Sequence, residues 1–134
     1  MRIERMEADA RKAAGMIRDA GSVLVVSHID ADGITAGSIA ATTLARLGKP
    51  YRIRFEKKMS EDTVSMINGA PEDLVWICDL GSGYLSDFSR PGIVVTDHHV
   101  PDPRWRRKQT VLDDFEDVCH VNPHVYGMDG SREV

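Results

Sequence analysis

Apolar residues recur along the chain in two distinct rhythms. Ile3, Met6, Ala10, Ala13, Ala14 and Ile17 fall at helical spacing with charges between them, which predicts an amphipathic helix over 2–20 that Gly21 stops. "SVLVVSH" (22–28) is instead a short continuous apolar run, the pattern of a strand covered on both faces. "DGITAGSIAATTLARLG" (32–48) predicts a helix whose small residues let it lie close to a sheet, ended by Gly48 and Pro50. "YRIRFEK" (51–57) alternates as a strand near an edge would. "SEDTVSMING" (60–69) predicts a short helix with Ser60 as N-cap and Gly69 as stop. "DLVWICDLG" (73–81) predicts a buried strand, "YLSDFSR" (84–90) a helical turn and "GIVVTDHH" (92–99) another strand. "DVCHVNPH" (117–124) is a candidate for one more, and "VPDPRWRRKQT" (100–110) reads as an exposed loop. A helix followed by β-α-β-α-β-α-β implies an α/β fold of three layers, a mostly parallel sheet with right-handed crossovers and helices on both faces.

Length and composition narrow this picture. The 134 residues suit one domain with a single core, with no internal repeat and no low-complexity linker. Net charge is -4, so no global basic field advertises nucleic acid, although bound metal can supply positive charge locally. No apolar run approaches the length of a membrane span, and "MRIERMEADARK" is no signal peptide; the expected setting is cytoplasmic. Cys78 and Cys119 lack CxxC spacing and read as reduced core residues.

Placing the polar residues on the predicted elements gives the functional signal. His28, Asp30 and Asp32 follow the first strand, Asp79 closes the third, and Asp97, His98 and His99 close the fourth. In an open parallel sheet these carboxyl ends face one edge, the edge at which ligands bind. Carboxylates gathered there repel one another unless cations neutralise them. Histidine with aspartate suits manganese or zinc, and the donors exceed the needs of one ion. Two ions about 3.5–4 Å apart, bridged by one carboxylate, would serve phosphoester or phosphoanhydride hydrolysis. Plainer readings exist for each residue taken singly: Asp32 as an N-cap, Asp79 as a turn residue, His98 and His99 as loop histidines. His120 and His124 are read as structural. "RWRRK" (104–108) offers Arg104, Arg106 and Arg107 as substrate-binding groups, against the alternative of a solvated loop, and Trp105 leaves open stacking on a base.

"SHIDADGITA", "ICDLG" and "VVTDHHVP" resemble, in order and spacing, the first three motifs of the DHH phosphoesterase superfamily, whose name comes from the Asp-His-His triplet. "HVNPHVYGMDGSRE" resembles a segment of its archaeal RecJ-like branch. The resemblance implies two manganese ions, with magnesium as a substitute. His28 and Asp30 look like ligands of one ion and Asp32 and His98 of the other, with Asp79 bridging. Asp97 looks like a supporting residue, and His99 like the one facing the scissile phosphate. His28 stands two residues before Asp30 rather than four, which is unlike the pyrophosphatase pattern and closer to RecJ.

The activity so implied is a manganese-dependent phosphodiesterase resembling a RecJ-type single-strand exonuclease. The alternatives are a small-molecule phosphoesterase acting on oligonucleotides, cyclic dinucleotides or pyrophosphate, and a non-catalytic module docking on replication proteins. The implied partners are single-stranded nucleic acid and a replication-complex protein such as GINS, with no membrane. The family usually supplies a further metal-binding aspartate and a second, substrate-gripping domain. Residues 1–134 therefore look like a single DHH-type domain without the usual C-terminal portion, the N-terminal part of a longer protein or a shortened member. Asp129, in a Met-Asp-Gly turn, is a poor substitute for the absent ligand.

Overall fold

A computed structural model describes residues 2–105 and 118–129. Helix α1 (Arg2–Asp19) leads into β1 (Val23–His28), followed by α2 (Ala31–Arg46), β2 (Tyr51–Glu56), α3 (Glu61–Asn68) and β3 (Leu74–Cys78). A 3-10 segment (Ser82–Asp87), β4 (Ile93–Thr96), β5 (Val118–Val121) and a second 3-10 segment (Pro123–Tyr126) complete the described chain. The five strands form one sheet in the order β2-β1-β3-β4-β5, every pairing parallel. This is the α/β architecture expected from the alternation of strands and helices. No helix among the described residues is long and apolar enough to cross a membrane.

Period-two alternation within the buried strands builds two cores. Val23, Val25, Leu74, Cys78, Val94, Cys119 and Val121 face one way, against Ala13 and Ile17 of α1 and Ala40 and Leu44 of α2. Leu24, Val26, Val75, Ile77, Ile93 and Val95 face the other way, against Ile67 of α3 and Leu85 of the first 3-10 segment. A strand buried on both faces cannot show polar alternation, which is why these segments read as unbroken apolar runs. Strand β2 keeps its alternation because it lies at the sheet edge.

Two elements end earlier than their apolar runs suggest. The run 73–81 yields a strand only as far as Cys78, because Asp79 adopts a left-handed backbone with φ of 60°. The run 92–99 stops at Thr96, because the Asp97 carboxylate takes up the backbone N–H of His98 at 2.8 Å and approaches that of His99 at 3.4 Å. The helix after β1 is capped by Asp30, whose Oδ1 accepts the Gly33 N–H at 2.9 Å; Asp32 lies inside the first turn, so the capping reading considered for Asp32 belongs to Asp30.

The strand order places the site. The chain moves outward from β1 to β2, then returns to put β3 on the other side of β1. The crevice at such a reversal is the general ligand position of open α/β sheets. Closing α2 onto β1 there depends on Gly33, where a methyl group would lie 1.9 Å from the His28 carbonyl oxygen. Gly37 is less constrained, since a methyl group there would meet Phe55 and Ser27 side-chain atoms at 3.1 Å. Gly33→Ala is therefore expected to cost about 3 kcal/mol, the upper end of overpacking penalties, and Gly37→Ala about 1 kcal/mol. Urea midpoints of the two variants check the difference, and equal midpoints would remove the close approach at Gly33 as a constraint.

Candidate metal centre

Strand β3 lies between β1 and β4, so Asp79 at its tip stands between the residues that end its neighbours. His98 brings Nε2 to 2.8 Å from Asp79 Oδ1. On the other side, His28 Nδ1 lies 3.6 Å from Asp79 Oδ2 and 2.9 Å from Asp30 Oδ2. Both His28 Nδ1 and Asp79 Oδ2 are buried without a hydrogen-bond partner. His28 Nε2 is 2.9 Å from the Lys57 carbonyl, which can only accept, so Nε2 carries the proton. For the neutral ring, Nδ1 then presents a lone pair to two carboxylates.

The carboxylates respond differently to this crowding. Burial raises the pKa of Asp79, the neighbouring Asp30 adds to the rise, and His98 opposes it. The Gly33 N–H is the main influence holding Asp30 below the ordinary range. Asp97 is buried, which works to raise its pKa, but Ser82, His99 and the His98 amide together outweigh burial and leave it low. Ser82 N–H stands at 3.2 Å and His99 Nδ1 at 2.6 Å from this carboxylate. His99 is otherwise exposed, its ring 4.5 Å from that of His98.

Two sets of donor atoms result, one from His28, Asp30 and Asp79, the other from Asp79, Asp97, His98 and His99. Asp79 is common to both. Asp32 is exposed in the first turn of α2 and stands outside both sets, as does exposed Asp129. The donors fit a divalent cation: His28 Nδ1 and Asp79 Oδ2 face each other, both buried without a hydrogen-bond partner, and mixed imidazole and carboxylate donors suit manganese or zinc. The Lys57 carbonyl orients His28 as the outer partner of a metal ligand does, and the Asp97 carboxylate orients His99.

Of the arginines offered by the loop after β4, Arg104 is described, and it is paired with acids. Arg104 Nε lies 3.1 Å from Asp102 Oδ1, and Arg104 Nη2 lies 3.2 Å from Asp87 Oδ2. Burial works to raise the Asp102 pKa, but Arg104 and the N–H groups of Arg104 and Ser86 outweigh it and hold the carboxyl far below its usual range. Trp105 is partly buried, edge-on to His120 at 5.8 Å between ring centroids. Arg106 and Arg107 lie outside the described residues.

Residues not singled out from the sequence support the triplet from behind. Ser82 Oγ is 2.9 Å from His120 Nε2 and accepts from Asn122 Nδ2 at 2.9 Å, while Asn122 Nδ2 also reaches the His99 carbonyl at 2.8 Å. Burial pushes the His120 pKa down to about 4, so that ring is neutral at pH 7. His120 is one hydrogen bond removed from Ser82, the residue that holds Asp97. The Asn-Pro step at 122–123 was the available signal, since that pair commonly starts a turn.

No family model matches the chain. An uncharacterized protein of Methanocaldococcus jannaschii is 29% identical over 121 residues, an alignment covering 85% of this chain and 26% of that protein. Two solved structures share the fold. Exonuclease RecJ bound to manganese superimposes with a TM-score of 0.58 at 22% identity, over 90% of this chain and 31% of that one. RecJ from Thermus thermophilus in complex with Mn2+ gives 0.56 at 24% identity, over 90% and 17%. The chain spans less than a third of each of these proteins.

A buried acid with a raised pKa destabilises the fold once pH climbs from its unfolded value towards its folded one. Asp79→Asn keeps a residue tolerant of the left-handed backbone, whereas Ala there costs about 1–2 kcal/mol of strain. Without metal, Asp79→Asn is expected to melt higher than the unsubstituted protein at pH 7 and to lose that advantage below about pH 3. Adding manganese should raise the melting temperature of the unsubstituted protein only. An equal manganese response in both proteins would take Asp79 out of the metal centre.

Proposed function

We propose that this chain carries the catalytic centre of a DHH-type phosphodiesterase that hydrolyses single-stranded nucleic acid with two manganese ions, as a RecJ-type exonuclease does. The observation that carries the reading is Asp79, a buried carboxylate common to two donor sets, with one oxygen and the facing His28 nitrogen lacking a hydrogen-bond partner. The shared fold with two manganese-bound RecJ structures supports it.

The residues have separable tasks on this reading. His28, Asp30 and Asp79 would hold one ion, and Asp79 and His98 the other, with Asp32 close in sequence as the remaining candidate. A bound divalent pair supplies Lewis acidity towards a phosphoryl group and lowers the pKa of water. Lys57 fixes the His28 tautomer through its carbonyl, so the ring presents Nδ1. Asp97 accepts from His99 Nδ1, which leaves Nε2 as the atom able to exchange a proton with, or hydrogen-bond to, a phosphoryl oxygen. The buried set Ser82, Asn122 and Asp97 holds that ring in place before substrate arrives.

The two histidines of the triplet give the test. His99→Ala should retain manganese, measured by calorimetry, and lose turnover by a factor of about 10² or more. His98→Ala should lose both. Initial rates on a single-stranded oligonucleotide should exceed those on pyrophosphate, and the reverse preference would favour the small-molecule alternative. A manganese deficit of equal size in both variants would show that the roles of His98 and His99 are wrongly divided.

A further inference from the structure

We propose that the loop between β2 and α3 guides the phosphate backbone of a single-stranded nucleic acid to the metal centre through the ammonium groups of Lys57 and Lys58. This rests on the phosphodiesterase reading above and names a part of its substrate path. The loop leaves the sheet at the same edge as the metal centre. Glu56 pairs with His28 in the β1–β2 register, and the Ile29 N–H donates to the Glu56 carbonyl at 3.1 Å. Lys57 and Lys58 therefore follow β2 at the level of Ile29 and Asp30. The Lys57 carbonyl accepts from His28 Nε2, so the lysine backbone is tied directly to a proposed metal ligand.

Charge gives the second argument. A polyanion approaching this edge meets Asp30, Asp32, Asp79 and Asp97 on a chain of net charge -4. Cations beside the path are needed to offset that field. Arg104 is held by Asp102 and Asp87, and Arg52 by Glu72. Lys57 and Lys58 are exposed, and among the described residues no carboxylate pairs with either. Lysines on an edge strand often serve only to discourage strand pairing. These two lie beyond the last paired residue, Glu56, in the kind of strand-to-helix loop that lines the ligand crevice of a parallel sheet.

The test is the salt dependence of binding. A fluorescein-labelled deoxythymidine strand of about 12 nucleotides is titrated in EDTA, so that nothing is cleaved, and anisotropy is read from about 50 to 200 mM NaCl. Each phosphate that is no longer neutralised should reduce the log–log salt slope by about 0.7. Lys57→Ala/Lys58→Ala is expected to leave one or two phosphates without a cation, weakening binding about tenfold for each at 50 mM NaCl. The control is Arg18→Ala/Arg46→Ala, which removes the same charge from the last turns of α1 and α2, at the edge where the strands begin. That control should keep the slope of the unsubstituted chain. Manganese stoichiometry and hydrolysis of bis(p-nitrophenyl) phosphate should be unchanged in Lys58→Ala alone, which leaves Lys57 and its carbonyl to His28 untouched. An unaltered slope in the lysine variant, or an equal reduction in the control, overturns the proposal. Manganese-dependent hydrolysis of the small ester with no strand binding by the unsubstituted chain also overturns it, and leaves the phosphodiesterase reading standing. Absence of that hydrolysis counts against the phosphodiesterase reading instead, and the slope still decides the role of the lysines.

Discussion

A carboxylate withheld from water at the tip of a central strand is the constraint around which this molecule is organised. Asp79 is 5% exposed, takes a left-handed backbone and places its two oxygens towards different histidines. Apart from the His98 hydrogen bond, none of this lowers the energy of the metal-free chain. Desolvation raises the cost of its charge, Asp30 adds repulsion, and a non-glycine residue with positive φ stores strain. The surrounding structure has to over-determine the arrangement, and it does so with strands on both sides whose apolar residues are fully buried.

The neighbours of Asp79 are fixed by different devices. His28 is oriented through a backbone carbonyl from the adjoining strand's loop, and Asp30 through the first turn of α2, which closes onto β1 only because Gly33 has no side chain. The Asp97–His99 pair is held from the opposite side by Ser82 and Asn122, drawn from segments far apart in sequence. His28, Asp30, Asp97 and His99 therefore each have a rigid partner outside the donor sets. That is the physical form of preorganisation: the orienting hydrogen bonds are made during folding, so ligand capture need not order these side chains.

The same reasoning explains why Arg104 is not a free cation after β4. Arg104 looked available in sequence because its acidic partners are not at helical spacing from it. Asp87 comes from the 3-10 segment after β3, and Asp102 turns back locally to meet its own neighbour. Lys57 ends the alternating pattern 51–57 and Lys58 follows it, with nothing in the local sequence to mark either. Their position beside His28 emerges only when β2 is aligned with β1.

The sequence by itself determined the elements, the α/β class and the identity of most candidate donors. These follow from periodicities of two and about 3.6 residues, and from the tendency of parallel strands to present their C-terminal ends together. His28, Asp30, Asp79, Asp97, His98 and His99 could be named this way because each lies at or just beyond the end of an apolar run. Only the tertiary structure decided which of them meet. The order β2-β1-β3-β4-β5 sets Asp79 between His28 and His98, leaves Asp32 outside both donor sets, and brings Ser82 and Asn122 behind the triplet. Local pattern carries the preference of a residue for strand, helix or turn. Adjacency between strands depends instead on which apolar faces pack together across the whole sheet, a long-range balance that no short window of sequence contains.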